Sequence, residues 1–167
     1  MAQKFDSTLW IWGSDIGGGK LAQNNRISYS SPVQIPATTW VDYNFETCKQ
    51  EHVMTRKSDG TLWAWGKNDG GALGLGDSNA RSSPVQVGTE TTWAMAVPIR
   101  SDFTIATKTD GTLWGWGANL GGQLSQNNRT EYSSPVQIPG TNWNELVSSA
   151  YYAHVIATKT DGTLWMW

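Results

Sequence analysis

The chain has 167 residues, and 12 Lys and Arg against 14 Asp and Glu give it a formal net charge of -2. A surface that binds nucleic acid usually carries a clear basic excess, so this balance argues against a nucleic-acid partner. No long apolar run follows the N-terminal Met1-Ala2-Gln3-Lys4, and we therefore expect no secretory signal peptide, no membrane partner and synthesis in the cytoplasm.

Tryptophan is unusually abundant, with 11 Trp and 18 Gly against only 3 Phe. The sequence Trp-x-Trp-Gly begins at Trp10, Trp63 and Trp114, and the last residues, Trp165-Met166-Trp167, repeat its first three positions. A spacing of about 50 residues indicates an internal repeat. The strands and turns predicted for one repeat should therefore occur in every copy.

The first element of each repeat is a hairpin turn. Asp59-Gly60, Asp110-Gly111 and Asp161-Gly162 each precede Thr-Leu-Trp, and Asp6-Ser7 occupies the same place in the first copy. Asp-Gly between two runs of β-branched and aromatic residues is a strong hairpin signal, and it predicts a type I′ turn with positive φ at both central residues.

The Trp-x-Trp-Gly strand follows the turn. Side chains alternate along a strand, so both indoles should lie on one face. We interpret the two indoles as packing between neighbouring repeats. We favour this role over ligand binding or light sensing because such large rings can bury a large area. The residues with this structural role are Trp10, Trp12, Gly13, Trp63, Trp65, Gly66, Trp114, Trp116, Gly117, Trp165 and Trp167.

A polar loop follows each complete Trp-x-Trp-Gly strand. One Arg for each repeat predicts an arc of arginines that binds a protein partner, since the guanidinium group donates paired hydrogen bonds. The alternative, weighed equally, is that each Arg caps its own loop. The candidate partner-binding residues are Asn24, Asn25, Arg26, Asp77, Asn79, Arg81, Asn127, Asn128 and Arg129.

The last elements of a repeat are two further strands. Pro32, Pro84 and Pro135 open short Val-Gln segments, and proline suits the start of an edge strand. Another segment begins near Trp40 and its counterparts, and no stretch has a convincing helical period. Each repeat is therefore predicted to form about four antiparallel strands, the arrangement found in one blade of an all-β propeller.

The units are predicted at 1–37 (partial), 38–89, 90–140 and 141–167 (partial). About three blades are present, whereas a closed propeller needs at least about four. The ring is thus expected to be incomplete within this chain, and unpaired strands at the partial blades favour self-association. We expect that an isolated chain is not a stable monomer.

These repeats resemble the regulator of chromosome condensation family. The best copy spans 109–124 and reads Thr-Asp-Gly-Thr-Leu-Trp-Gly-Trp-Gly-Ala-Asn-Leu-Gly-Gly-Gln-Leu. The resemblance implies a propeller, often of seven blades, but carries little information on function. The family's Gly three residues before a His is replaced by Lys49 and Tyr151, and the middle copy has Arg100 and Phe103.

The Trp-rich copies with Ser-Ser-Pro-Val-Gln-Ile-Pro look most like bacterial and bacteriophage members of this family. That likeness favours a role on a virion or cell surface. The exchange-factor and chromatin roles of the founding member are not implied, because the resemblance is confined to the repeat pattern.

Few residues suggest chemistry. His52 and His154 occupy a position that Phe103 fills in the middle copy, so we favour packing over a metal or acid–base role. Cys48 is four residues from His52 but lacks an orienting third group, and a small buried thiol is favoured over a thiolate–imidazole pair. Being the single cysteine, it can form neither an internal disulfide nor a multi-thiolate metal site.

Two loops invite ligand interpretations that we do not favour. The segment 71–76, Gly-Ala-Leu-Gly-Leu-Gly, lacks the strand, helix and lysine that phosphate loops need. Asp69, Asp77 and Asn79 could offer oxygen ligands to Ca²⁺, but their spacing matches no calcium loop and no bidentate Glu follows.

The sequence therefore predicts a non-catalytic structural or protein-binding module with no cofactor and no metal, set on a phage particle or another surface. A soluble inhibitor or regulator of an enzyme is the alternative. An enzyme would need converging carboxylates or a nucleophile with its base, and no copy gains such a pair.

Overall fold

The structure confirms the predicted all-β fold. It is a computed structural model that describes residues 1–15, 18–41, 51–99, 102–148 and 154–167. In these ranges the chain forms antiparallel strands and one short 3-10 turn, Asp69–Gly71, and it contains no α-helix. Four sheets follow one another along the chain, and they do not close into a ring.

Each sheet is built from consecutive strands. The first two sheets contain β1 (Ala2–Gln3), β2 (Leu9–Gly13) and β3 (Tyr29–Gln34), then β4 (His52–Arg56), β5 (Leu62–Gly66) and β6 (Arg81–Gln86). The last two contain β7 (Trp93–Ile99), β8 (Phe103–Lys108), β9 (Leu113–Gly117) and β10 (Tyr132–Ile138), then β11 (Trp143–Ser148), β12 (Val155–Lys159) and β13 (Leu164–Met166).

The third sheet shows the predicted four strands, in the order β10-β9-β8-β7. The other sheets show three strands within the described residues. In the third sheet Trp93 pairs with Lys108, and this pairing joins β7 to β8. At the equivalent position the second sheet has an isolated bridge between Trp40 and Lys57. The fourth sheet has counterparts of β7, β8 and β9, and no described segment stands in the place of β10.

The prolines lie inside edge strands and not at their starts. The pairing of β10 with β9 shifts between Tyr132↔Gly117 and Val136↔Gly115, and Pro135 falls within that interval. The same shift occurs in the pairings of β3 with β2 and of β6 with β5. A bulge at an edge accommodates a residue that cannot donate to the ladder.

The Asp-Gly turns were predicted correctly in place and wrongly in type. Gly60, Gly111 and Gly162 have φ near 80° (81°, 77° and 84°), whereas the aspartates before them do not have positive φ. The amide of Gly111 donates to the Lys108 carbonyl at 3.0 Å, and that of Lys108 to the Thr112 carbonyl at 3.0 Å. This is a three-residue hairpin loop, a type I turn followed by a left-handed glycine, and not a type I′ turn.

The core lies between successive sheets. One cluster joins Leu62 and Leu73 of the second repeat to Trp93 and Trp116 of the third, and equivalent clusters join the other neighbours. Each cluster includes a leucine from a loop that follows a Trp-x-Trp-Gly strand, namely Leu21, Leu73 or Leu124. Burial between sheets therefore holds the repeats together, as in other repeat proteins.

Candidate protein-binding site

The turn end of each Trp-x-Trp strand carries one repeated hydrogen-bond network. In the second sheet Asp59 Oδ1 accepts from the Thr61 amide at 3.0 Å and from its hydroxyl at 2.6 Å, and Trp63 Nε1 donates to Thr61 Oγ1 at 2.8 Å. The same bonds join Asp6, Thr8 and Trp10, then Asp110, Thr112 and Trp114, then Asp161, Thr163 and Trp165.

These bonds favour the ionised carboxylates. The hydrogen bond from the Thr61 hydroxyl lowers the pKa of Asp59 most, and the bond from the Thr61 amide lowers it further. The equivalent threonines lower the pKa of Asp6, Asp110 and Asp161 in the same way. Each aspartate therefore accepts bonds that close its own turn.

A lysine covers the first tryptophan of each pair. Lys108 Nζ lies 3.7 Å from the ring centroid of Trp114 and 4.9 Å from that of Trp93, and it also forms an ion pair with Glu90. Lys57 and Lys159 cover Trp63 and Trp165 in the same way, and Lys4 covers Trp10. These cation–π contacts favour a fixed indole orientation near the turn that precedes each Trp-x-Trp strand.

A third tryptophan completes a cluster in three of the sheets. Trp40 lies 6.0 Å from both Trp63 and Trp65, and Trp93 lies 6.4 Å and 5.8 Å from Trp114 and Trp116. Trp143 is placed in the same way against Trp165 and Trp167. Both indoles of a pair thus face one way, against a tryptophan from the other edge of the same sheet.

The second tryptophan of each pair reaches the preceding repeat. Trp65 Nε1 donates to the Lys20 carbonyl at 2.9 Å, Trp116 Nε1 to Ala72 at 2.8 Å, and Trp167 Nε1 to Gln123 at 2.9 Å. Trp12 in the first sheet has no such bond among the described residues and is 42% exposed.

A glycine must end the Trp-x-Trp strand. Gly66 and Gly117 have φ of 101°, and Gly13 has φ of 111°. A Cβ on Gly117 would lie 2.4 Å from the Asp102 carbonyl oxygen, so the neighbouring strand excludes any side chain there.

The loops at the opposite end of the strand carry the candidate binding residues. Asn25 Oδ1 accepts from the Ile27 amide at 3.0 Å, and Asn128 Oδ1 accepts from the Thr130 amide at 2.8 Å. The amide groups of Asn25 and Asn128 donate to Tyr29 Oη and Tyr132 Oη at 2.9 Å. Asp77 holds the middle loop by accepting from the Asn79 amide at 2.8 Å.

Arg26 and Arg129 occupy equivalent positions on these loops. Both follow an Asn in the sequence Asn-Asn-Arg, and both are exposed. Neither side chain makes a hydrogen bond or an ion pair with another residue in the described part of the chain. Asn24 and Asn127 precede them, are exposed and have φ of 56° and 55°.

Arg81 lies elsewhere. It pairs with Gly66 in the register where Tyr29 and Tyr132 pair with Gly13 and Gly117, so it begins β6 and takes the tyrosine position. Its Nη2 contacts Asp77 Oδ2 at 2.6 Å and its Nη1 donates to the Asn79 carbonyl at 2.6 Å. Of the three arginines expected to form an arc, Arg26 and Arg129 therefore occupy equivalent positions, whereas Arg81 bonds to its own loop.

A surface depression of about 470 Å³ lies beside Arg129. Its lining residues are Gly122, Ser125, Asn127, Asn128 and Arg129. Polar side chains and backbone line it, so it suits the side chains of a polar protein surface. We call Arg26, Arg129 and their flanking asparagines the arginine loops.

The loops also join the sheets to one another. The Asn24 amide donates to the Ser82 carbonyl at 2.7 Å, and the Gly76 amide donates to the Ser133 carbonyl at 2.8 Å. The first two loops thus rest on the edge strand of the following sheet. The loop that carries Arg26 is therefore held against the second sheet.

The histidines differ from each other in environment. His52 is fully buried, with Nε2 3.0 Å from Thr104 Oγ1 of the next sheet, and burial lowers its pKa to about 4. His154 is exposed. Cys48, Lys49, Arg100 and Tyr151, which entered the sequence interpretation, lie outside the described residues.

The residues considered for metal binding are engaged otherwise. Asp69 forms an ion pair with Lys67 at 2.9 Å, and Asp77 forms one with Arg81. Within the described ranges no group of three His, Cys, Asp or Glu side chains could hold a metal ion. In the same residues no helix has the length and apolarity to cross a bilayer.

Sequence reasoning missed the buried asparagines of the loops. Asn68 Oδ1 accepts from the Leu73 amide at 2.8 Å while its amide group donates to Asp77 and Asn79 carbonyls, and Asn119 makes the equivalent bonds to Leu124 and Asn128. The signal was present, since each follows Trp-x-Trp-Gly by two residues. The lysines and threonines of the turn network had the same periodic signal.

Comparison with known proteins agrees with this architecture. Residues 59–99 and 110–151 match the model of the regulator of chromosome condensation (RCC1) repeat. The ultraviolet-B receptor UVR8 of Arabidopsis thaliana is 27% identical over 93% of this chain and 35% of its own length. The X-linked retinitis pigmentosa GTPase regulator of Canis lupus familiaris is 28% identical over 80% of the chain and 13% of its length.

Solved structures give the same fold. Yeast RCC1 (Prp20), in a crystal structure with Kap60 bound, superposes on the whole chain with a TM-score of 0.74 at 16% identity, and the match covers 42% of that protein. Human WBSCR16 gives a TM-score of 0.67 over 90% of this chain and 39% of its own. The chain therefore spans well under half of these relatives. With its phased repeats, its Trp clusters and these matches, it belongs to the RCC1-like repeat family.

Proposed function

We propose that the chain is a non-catalytic protein-binding module whose arginine loops contact an acidic surface of a partner protein. The observation that carries this proposal is that Arg26 and Arg129 are exposed and make no bond within the described residues, whereas Arg81 is paired. A guanidinium group held on a fixed loop loses little entropy when it forms paired bonds to a carboxylate.

The relatives support a protein partner. One relative is a GTPase regulator, yeast RCC1 (Prp20) was crystallised with Kap60 bound, and Prp20p of Saccharomyces cerevisiae has binding properties toward Gsp1p and histones. Those partners are properties of those proteins. For this chain they favour protein binding as the general function and leave the identity of the partner to experiment.

Two settings follow from the sequence interpretation. In the first, the partner is a structural protein of a phage particle or other surface, as the Trp-rich copies suggest. In the second, the partner is a soluble enzyme that the chain inhibits or regulates, which the name of the GTPase-regulator relative favours. Recovery with particle proteins in fixed ratio would support the first setting, and recovery with one soluble enzyme would support the second.

The arginine loops are tested by the double variant Arg26→Ala with Arg129→Ala. Both side chains are exposed and make no bond to the described part of the chain, so their removal should leave the melting temperature within about 1–2 °C of the unchanged chain. Capture of the partner by immobilised protein, quantified by mass spectrometry, should fall at least about 10-fold, the effect of roughly 1.4 kcal/mol.

Two controls make the result specific. The double Arg→Lys variant keeps the charge but loses the planar fork, so restored capture would show that charge alone suffices. Arg81→Ala should lower the melting temperature, because its bonds to Asp77 and Asn79 hold its own loop. Partner capture that is unchanged in the double Ala variant would refute the proposed role of these loops.

A further inference from the structure

The dipeptide Asp-Gly occurs four times in the sequence, in two different structural settings. Asp59-Gly60, Asp110-Gly111 and Asp161-Gly162 form hairpin turns before Trp-x-Trp strands, and Asp69-Gly70 lies in the loop after β5. An aspartate rearranges most readily before glycine, which has no side chain to hinder attack of its amide nitrogen on the aspartate carboxyl carbon. The four copies therefore place the same reactive pair in different surroundings.

The rearrangement converts aspartate to isoaspartate through a cyclic imide. The glycine nitrogen bonds to the aspartate Cγ and gives up its proton, and a carboxyl oxygen leaves as water, which closes a succinimide ring. Water then opens the ring. Cleavage of the bond from the nitrogen to Cγ restores aspartate, whereas cleavage of the bond from the nitrogen to the α-carbonyl carbon leaves the main chain running through Cγ. Ring closure needs a free glycine amide and a protonated carboxyl group.

Hydrogen bonds oppose both requirements in the hairpin turns. The Gly111 amide donates to the Lys108 carbonyl at 3.0 Å, so the attacking nitrogen is engaged. Asp110 Oδ1 accepts from the Thr112 hydroxyl at 2.6 Å and from its amide at 2.9 Å, and these bonds lower the pKa of Asp110. The other two hairpin copies repeat all of these bonds.

The copy in the loop lacks both kinds of bond. The Gly70 amide donates to no group among the described residues, because the 3-10 turn makes its first bond through the amide of Gly71. The Asp69 side chain is 61% exposed, and its Oδ2 lies 2.9 Å from Lys67 Nζ. Lys67 is closer to Glu51, at 2.6 Å, so this exposed ion pair constrains Asp69 only weakly.

We infer that Asp69 is a site of spontaneous isoaspartate formation in the folded chain, whereas the three hairpin aspartates are protected by their turns. The product carries a free α-carboxylate beside an additional main-chain carbon. That group is the substrate of carboxyl methyltransferases specific for isoaspartate, so the aged chain becomes a substrate for carboxyl methylation. The inference uses none of the residues of the arginine loops and is independent of the proposed function.

The position of Asp69 gives the modification a structural effect. A Cβ on Gly71 would overlap Ser133, so the loop is packed tightly against the third sheet. The carbonyl of Ala72 accepts hydrogen bonds from two side chains of the third sheet, at 2.9 Å and 2.8 Å. An additional main-chain carbon at Asp69 displaces this segment. Isoaspartate should therefore weaken the contact between the second and third sheets.

The test is ageing of the folded chain at neutral pH, followed by trypsin digestion and mass spectrometry with electron-transfer fragmentation, which distinguishes isoaspartate from aspartate. Cleavage after Lys and Arg places the four Asp-Gly copies on separate peptides, 58–67, 68–81, 109–129 and 160–167. Isoaspartate should accumulate at Asp69 at least about 10-fold faster than at Asp110. In the chain unfolded by urea the protection is lost, so all four copies should react at similar rates.

Two variants separate the chemistry from the fold. Asp69→Glu keeps the charge, but its side chain would have to close a larger ring, so the product should disappear from peptide 68–81. The aged Asp69→Glu variant should also keep its urea midpoint, while that of the aged unchanged chain falls. Thr112→Val removes the hydroxyl bond to Asp110 and should speed isoaspartate formation there toward the rate in urea.

Equal isoaspartate formation at Asp69 and Asp110 in the folded chain would overturn the inference, because the two settings would then offer the same protection. A rate at Asp69 as low as that of the hairpin copies, with reaction of all four copies in urea, would have the same meaning. So would a product in peptide 68–81 that maps to Asp77. A urea midpoint that stays constant while isoaspartate accumulates at Asp69 would overturn the stated effect on the sheet contact.

Discussion

A buried imidazole links the second and third sheets. His52 lies on β4 with no exposed surface, and its Nε2 lies 3.0 Å from Thr104 Oγ1, whose hydroxyl donates to the Ala72 carbonyl at 2.9 Å. The hydroxyl proton is thus used, and the ring must donate from Nε2. The Nδ1 atom is buried and has no hydrogen-bond partner among the residues that the structure describes, so the neutral ring fits the site and the cation does not.

This environment predicts a specific sensitivity to acid. The pKa of His52 is lowered by burial from 6.5 to about 4, so the unfolded chain takes up the proton first. The stability from the neutral ring is complete above pH 6.5 and is lost as the pH falls toward 4, in total about 3 kcal/mol. Replacement by Phe, the residue at the same position of the third repeat, should remove this part of the pH dependence in urea unfolding measured from pH 7 to 4.

Thr104→Val provides the control for His52→Phe. Burial is the cause of the lowered pKa, so the valine variant should keep the acid sensitivity although its hydrogen bond is lost. If His52→Phe and the unchanged chain lose stability equally between pH 6.5 and 4, the buried neutral histidine is not the cause.

At the scale of the element, the loop after β2 departs from its two counterparts. Asn68 and Asn119 are buried and bonded in the second and third loops, and Asp15 takes their place in the first. Neither buried carboxylate oxygen of Asp15 has a hydrogen-bond partner of good geometry in the described residues, although the nearby backbone amides of Leu21, Lys20 and Gly19 partly offset the effect of burial on its pKa. A carboxylate cannot donate to loop carbonyls as the two asparagines do.

We therefore expect Asp15→Asn to stabilise the chain by about 1 kcal/mol at pH 7, the cost of an unsatisfied buried polar group. Burial raises the pKa of Asp15, so the folded state binds the proton first on acidification. The advantage of the variant should be largest above this raised pKa and should shrink as the pH falls through it toward 3.8, the ordinary value. Urea unfolding at several pH values measures the difference.

Asp110→Asn is the matched control because hydrogen bonds from Thr112 lower the pKa of Asp110. Its ionised form is favoured in the folded state, so this substitution should destabilise at neutral pH and lose its effect as the pH falls. The explanation fails if Asp15→Asn destabilises the chain, or if both substitutions respond to pH with the same sign.

The elements show what periodicity can and cannot predict. Repetition of Trp-x-Trp-Gly and Asp-Gly was enough to place the strands and the hairpins, because side-chain alternation and turn chemistry are local. The turn type was wrong because the Asp110 carboxylate caps Thr112, which fixes the aspartate away from positive φ. Arg81 was grouped with the other loop arginines because the loops were compared by residue type. Its pairing with Gly66 instead places it at the position that a tyrosine occupies in the other repeats.

Contacts between elements could not be predicted from this periodicity. Lys108 contacts Trp93 and Trp114 only because three neighbouring strands bring these residues to the same end of the sheet. Exposure of Arg26 likewise depends on how its loop rests on the second sheet, where the Asn24 amide donates to the Ser82 carbonyl. A single sequence shows the residue types, while the pairing that makes them a site depends on the fold.

For the whole molecule, stability resides in the contacts between successive sheets. Repeat arrays behave approximately as units coupled to their nearest neighbours. Trp116 is the clearest such coupling residue, since it is 0% exposed, packs in one cluster with Met54 and Leu73 of the second repeat, and donates to the Ala72 carbonyl at 2.8 Å. Trp12 occupies the same position of its strand and is 42% exposed.

The same substitution should therefore cost very different amounts at the two tryptophans. Trp116→Ala should lower the free energy of unfolding by about 3–5 kcal/mol, the usual cost of emptying a buried aromatic site, and should split the urea transition as the second and third repeats uncouple. Trp12→Ala should cost no more than about 1 kcal/mol, since half-exposed side chains bury little area. Trp116→Phe keeps one ring but loses the bond to Ala72 and leaves a small cavity, so an intermediate loss of about 2 kcal/mol is expected. Equal losses for Trp12→Ala and Trp116→Ala would mean that the sheets are not coupled through these indoles.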